Sequence, residues 1–307
     1  MARILITGAS GLLGLNLALQ ASSQHQVVGV VNRNLLVNVP FEQMTADLGS
    51  PDEVQRVLAF ARPDWIIHCA AMANLEECEK NPKQAARINA WLPGMLAEQA
   101  DWLGARFLHI STDAVFDGER GDYREEDAPN PLSVYARTKL EGEQAVMAAN
   151  PQALLARVNF YGWSLSGRRS LAEFFFNALS RGQGVRGFTD IFFCPLLVNQ
   201  LADLLLEMLD GGGSGLYHTV SSEAISKYAF GVAIARRFGL DTDLITPASW
   251  KDGGLSARRS PNLTLNSEKL AAHLGHPMPG IEPGIQHFHE LYLAGYPERI
   301  REFGVAV

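Results

Sequence analysis

The strongest constraint on this chain lies at its start, where RILIT (3–7) runs directly into TGASGLLG. A short apolar strand meets a turn carrying Gly8, Gly11 and Gly14, and an apolar helical pattern follows through Leu12, Leu13 and Leu17. Residues without side chains let such a turn fold tightly, so its backbone amides can approach a pyrophosphate. The helix N-terminus then adds favourable electrostatics. Gly8, Ser10, Gly11, Leu12 and Leu13 are therefore the expected contacts of a dinucleotide.

The strand–helix rhythm continues down the first half. Segments 27–31 (VVGVV), 65–69 (WIIHC), 106–110 (RFLHI) and 154–158 are apolar on both faces, with helical patterns between them. Ser50, Pro51 and Glu53 mark a helix start. Pro82 opens a long helical pattern that Pro93 is expected to bend or split. Doubly apolar strands separated by helices imply an α/β fold, a Rossmann-like parallel sheet flanked by helices. After Gly162 the rhythm loosens. Residues 1–160 are expected to form mainly the nucleotide-binding domain and 161–307 mainly a smaller substrate-binding lobe, with segments returning to the main sheet.

Composition narrows the partners. Net charge is -7 and 47% of residues are hydrophobic. A modestly acidic chain is a poor general binder of nucleic acid or anionic membrane, so any anion must meet a local site. The longest tempting apolar stretch, 191–197, is far short of a membrane span. Cys69, Cys78 and Cys194 form no CxxC pair, and no His/Cys/Asp spacing suggests a metal site. These features, and an N-terminus without signal-peptide character, point to a cytoplasmic protein.

Two further patterns suggest chemistry. The second strand ends in Val31, Asn32 and Arg33, with no acid to hold a ribose diol; Arg33 can meet a 2′-phosphate, which favours NADPH over NADH. Asp47, followed by Leu48, either accepts from the adenine amino group or caps the next helix. Tyr135 and Lys139, in SVYARTK, share one helix face. A lysine ammonium beside a phenol favours its ionised form, and such a tyrosine can exchange a proton with a carbonyl oxygen while hydride moves at carbon. Ser111 and Thr112 end the 106–110 strand, on the side of a parallel sheet where ligands bind; Thr112 is the favoured partner of that carbonyl.

On these residues the chain resembles the extended short-chain dehydrogenase/reductase superfamily, and within it the dTDP-4-dehydrorhamnose reductase family. The resemblance runs through TGASGLLG, HCAAMANLEECEKNP (68–82), RINA (87–90), STDAVFDG (111–118), YREEDAPNPLSVYARTKLEGE (123–143) and ARRSPNLTLNSEKL (257–270). It implies reduction of the keto group of a nucleotide-linked 4-keto sugar by NADPH or NADH, with Thr112, Tyr135 and Lys139 as the active site. It also implies that Tyr135 and Lys139 touch the cofactor, that Ala70 and Ala71 line it, and that Asn89 lies beneath the site. The chain departs from the family pattern at Ala114, where an aromatic residue is usual, and at Ile191 and Leu196, where an amide and a hydroxyl are. Asn159, Trp163, Arg258 and Arg259 are the candidate substrate contacts, with Arg157 beside them. Two other functions stay open: an epimerase or dehydratase of the same fold, and a non-catalytic regulatory subunit using 191–197 as a partner surface. The resemblance also leaves a homodimer open.

Overall fold

The computed structural model describes residues 1–252 and 260–304. The first half alternates as read: β1 (Arg3–Thr7), α1 (Leu12–Ala21), β2 (Gln26–Val31), β3 (Glu42–Thr45), α2 (Pro51–Ala61), β4 (Trp65–His68), α3 (Leu75–Lys80), α4 (Pro82–Ala86), α5 (Leu92–Leu103), β5 (Arg106–Thr112), α6 (Val134–Ala149) and β6 (Leu154–Val158). Then come β7 (Phe160–Tyr161), α7 (Leu171–Leu179), β8 (Val185–Phe188), β9 (Phe192–Phe193), β10 (Leu196–Leu197), α8 (Val198–Gly211), β11 (Gly215–Thr219), β12 (Ile225–Ser226), α9 (Lys227–Arg237) and β13 (Ile245–Ala248). Three helices finish the described chain: α10 (Glu268–Leu274), α11 (Ile281–Leu293) and α12 (Tyr296–Glu302).

Seven strands make one parallel sheet in the order β11-β6-β5-β4-β1-β2-β3. From β1 the chain winds outward through β2 and β3, then returns to β4 on the other side. The crevice beyond the carboxyl ends of β1 and β4 is thus the topological switch point, where such sheets bind ligands. Alternate residues serve opposite faces: Ile4 and Ile6 pack with Leu13, Leu17, Leu201 and Leu205, while Leu5 packs with Val54, Leu58, Leu96 and Phe107. Both faces are dry, which explains why these strands lack polar alternation.

Pro93 does not simply bend one helix. Between α4 and α5 lies a π-helical turn, Arg87–Trp91, in which the Leu92 amide reaches back to the Arg87 carbonyl. Proline has no N–H for the carbonyl four residues earlier, and the wider turn relieves that mismatch.

The later chain builds an aromatic core from Trp163, Phe175, Phe193, Phe230 and Phe288, which also takes in Ala9, Leu15 and Val31 of the main sheet's own layer. Short ladders, β7–β10, β8–β13 and β9–β12, tie this lobe together. The segment 191–197 is buried apart from Phe192, with Phe193, Cys194, Leu196 and Leu197 in the cores, so only Phe192 offers the partner surface left open for it. Among the described residues no helix is long and apolar enough to cross a membrane.

Candidate active site

Gly8 takes φ +68°, and the Gly11 amide donates to its carbonyl at 2.8 Å, closing the turn before α1. A Cβ on Gly8 would lie 2.8 Å from the Ala70 nitrogen, and one on Gly14 would lie 2.2 Å from the Gly8 carbonyl oxygen. The β1 turn, the α1 N-terminus and the end of β4 therefore close to backbone-on-backbone distance. Thr7 fastens them: its Oγ1 accepts from the Ala70 amide at 3.1 Å and lies 2.7 Å from His68 Nδ1.

Above this junction opens a cleft of about 830 Å³. Gly8, Ser10, Gly11, Asn32, Arg33, Asp47, Leu48, Ala70 and Ala71 all line it. Such a cradle of small residues, a helix N-terminus and a cation fits the phosphates of a dinucleotide. Leu12 and Leu13 stand in the first turn of α1, but Leu13 lies in the core, Leu12 packs against it, and neither is among the cleft's lining residues. Asp47 Oδ1 accepts from the Gly49 amide at 3.0 Å, a turn-capping bond.

Met72 also lines the cleft, and both it and Tyr135 pack against the small core of Cys78, Ala85 and Val134. Wholly buried Asn89 fixes Met72 from within the π-helical turn. Its Oδ1 accepts from the Met72 amide at 2.9 Å; its Nδ2 donates to the Met72 carbonyl at 3.0 Å and to Thr138 Oγ1 at 3.1 Å.

Tyr135 sits in the first turn of α6, started by the Ser133 side chain, which accepts from the Ala136 amide. Burial pushes its phenol up to about 12, while the neighbouring Thr112 hydroxyl works the other way. Thr112 ends β5 and donates to Asp113 Oδ1 at 3.0 Å. Burial also raises the Asp113 carboxyl, against hydrogen bonds from Asn159 and Thr112. Asn159 therefore lies beside the site, its Nδ2 donating to Asp113 Oδ2 at 2.5 Å.

Lys139 is one turn beyond Tyr135 and fully buried. Its ammonium donates to the Ile110 carbonyl at 2.6 Å and lies 3.2 Å from His109 Nε2, and burial lowers its pKa to about 8. The expected depression of the Tyr135 pKa by this ammonium is absent, because the charge is turned toward β5; it acts on His68, Cys69 and His109. His68 and His109 stack at 5.3 Å, and burial followed by the Lys139 charge lowers both, His68 to about 3. Both are neutral imidazoles.

Two expectations place differently. Trp163 does not line the cleft: it stacks on Phe288 at 4.1 Å and donates Nε1 to the Phe288 carbonyl, because α11 folds back against the exit of β6. Arg157 is equally interior, paired with Glu143 at 2.8 Å beneath Ser111. Arg258 and Arg259 lie outside the described residues. Among the described residues no group of three metal-ligating side chains occurs. Arg169, which sequence reasoning passed over, lines the cleft. The signal near it was legible: Ser170 and Glu173 form a capping box that fixes where its loop ends.

A family model described as the RmlD substrate binding domain matches residues 2–293. The chain is 35% identical over 283 residues to a probable low-salt glycan biosynthesis reductase of Haloferax volcanii, covering 90% of this chain and 94% of that one. It is 32% identical to methionine adenosyltransferase 2 subunit beta of Bos taurus, covering 87% and 81%. A dTDP-4-dehydrorhamnose reductase from Bacillus anthracis, solved in complex with NADP, superposes with a TM-score of 0.81 at 25% identity, covering 94% of this chain and 99% of that one. The chain belongs to the RmlD-like dTDP-4-dehydrorhamnose reductase family of the extended short-chain dehydrogenase/reductase superfamily.

Proposed function

We propose that this protein reduces the keto group of a nucleotide-linked 4-keto sugar, with Tyr135 as proton donor, Thr112 as the hydroxyl that orients the carbonyl, and Lys139 as a cofactor-ribose ligand. The observation that carries this reading is a glycine-lined cleft whose wall residue Met72 packs on the same small core as Tyr135, with Thr112 at the end of β5 acting on that phenol. NADPH or NADH supplies the hydride when bound. A phenol held up near 12 is protonated at neutral pH, which suits it to donate as the carbonyl oxygen gains charge. In this reading the Thr112 hydroxyl turns its proton from Asp113 to the same oxygen, where a hydroxyl steadies developing charge. The Gly8–Gly11 amides receive the pyrophosphate, and Arg33 supports the preference for NADPH.

Asn159 is better read as a residue that holds Asp113 than as a direct sugar contact. A diphosphate contact at Arg258 or Arg259 remains part of the proposal. The likeness to methionine adenosyltransferase 2 subunit beta favours a second reading, a regulatory subunit that binds a nucleotide.

NADPH oxidation against a panel of 4-keto nucleotide sugars separates the readings. Reduction consumes one NADPH per sugar, whereas an epimerase or dehydratase returns its cofactor unchanged. No turnover, together with tight binding to a methionine adenosyltransferase catalytic subunit, would favour the regulatory reading.

A further inference from the structure

The cleft has one wall that no dinucleotide-binding motif of the first half supplies. Beyond β7 the chain crosses over α1: Asn16 Nδ2 donates to the Trp163 carbonyl at 3.1 Å, and Tyr296 donates its hydroxyl to Asn16 Oδ1 at 2.8 Å. Trp163, Ala172 and Phe175 share a core with Ala9, Leu15 and Val31. The loop between Trp163 and α7 is therefore seated over the glycine turn and the end of β2.

That loop is held rigidly. Glu173, wholly buried, accepts from the backbone amides of Ser164 at 2.7 Å, Arg169 at 2.8 Å and Ser170 at 3.1 Å, and from the Ser164 hydroxyl at 2.8 Å. A carboxylate is costly to bury, and here its donors come from this one loop. The result is a fixed backbone at Arg169 with an exposed side chain. Arg169 lines the same cleft as Gly8, Ser10, Gly11 and Arg33, and neither Arg33 nor Arg169 forms an ion pair among the described residues. The protein as a whole is acidic, so two unpaired guanidinium groups converging on one cleft mark a local anion site.

We propose that Arg169 is a phosphate ligand contributed by the smaller lobe, reaching a dinucleotide from the side opposite the Gly8–Gly11 amides. This rests on the dinucleotide reading of the cleft. A guanidinium is permanently charged and binds phosphate oxygens in a two-pronged fashion. The phosphate is either the pyrophosphate over the glycine turn or the 2′-phosphate beside Arg33. In both cases the bound dinucleotide ties the second lobe to the sheet, and the lobe becomes part of the cofactor site.

The test is a fluorescence titration of the full chain with NADPH and with NADH. Arg169→Ala is expected to raise Kd roughly tenfold or more, the size of a lost charge-assisted hydrogen bond. Equal losses for both dinucleotides identify the pyrophosphate; a loss for NADPH alone identifies the 2′-phosphate; both support the proposal. Arg168→Ala, an exposed neighbour outside the cleft lining, is the control and is expected to bind as the unaltered protein does. Unchanged affinity in Arg169→Ala, or an equal loss in Arg168→Ala, would overturn the proposal and leave the dinucleotide reading standing. Failure of the unaltered protein to bind either dinucleotide would overturn both.

Discussion

Tyr135 and Lys139 share a helix face but live in different electrostatic surroundings. Burial raises the phenol to about 12 and lowers the ammonium to about 8. Tyr135→Phe is expected to lower kcat by about 10²–10⁴ while leaving the dinucleotide Kd near its original value, read by steady-state rates and titration together. Lys139 gives a prediction about stability. Its folded pKa lies below the unfolded 10.5, so between about pH 8 and 10.5 the unfolded chain holds more protons, and this group's contribution rises with pH. Unfolding free energies of the unaltered protein and Lys139→Met, compared from pH 7 to 10, are expected to diverge in that sense; parallel profiles would show that burial does not shift the group. Spacing put Tyr135 and Lys139 on one helix face and a hydroxyl at the end of β5; reading Thr112, Tyr135 and Lys139 together as a site rested on the family resemblance. Their partners were not legible, because the Ile110 carbonyl, His109 and the Asp113–Asn159 contact depend on how β5 and β6 register.

At the scale of elements, close backbone contacts decide the architecture. Helix α6 lies so near the π-helical turn that a Cβ on Gly142 would fall 2.1 Å from the Asn89 carbonyl oxygen. Alanine is the better helix former by about 1 kcal/mol, yet overpacking against backbone typically costs about 1–3 kcal/mol. Gly142→Ala is expected to destabilise, seen as a lower urea midpoint at unchanged m. Glu143, one turn past Lys139, anchors β6 through buried Arg157 and accepts from Ser111 Oγ at 2.5 Å. Glu143→Ala strands a buried guanidinium and is expected to cost about 3–5 kcal/mol by the same assay. The alternation of strands and helices was readable because each strand is apolar on both faces. The π-helical turn was only half readable: Pro93 announced a disturbance, but its form depends on Asn89 bonding Met72 and Thr138 across the fold.

At the scale of the molecule, the aromatic core is what local patterning could not show. Trp163, Phe230 and Phe288 come from distant segments, and only their joint burial turns a candidate ligand-stacking tryptophan into a packed one. That core also includes Ala9, Leu15 and Val31, so the second lobe is built onto the nucleotide-binding layer. The Rossmann-like sheet puts the cleft at the switch between β1 and β4, and Tyr135 packs on the same small core as Met72 of the cleft wall. The central claim is hydride delivery to a sugar carbonyl with Tyr135 supplying the proton. The most direct measurement follows deuterium from NADPH labelled at the nicotinamide into each 4-keto nucleotide sugar of the panel, with the products read by mass spectrometry. One deuterium is expected at carbon 4 of the sugar that turns over, with the rate lowered at least about a hundredfold in Tyr135→Phe. No label in any sugar, or equal transfer by Tyr135→Phe, would contradict that claim.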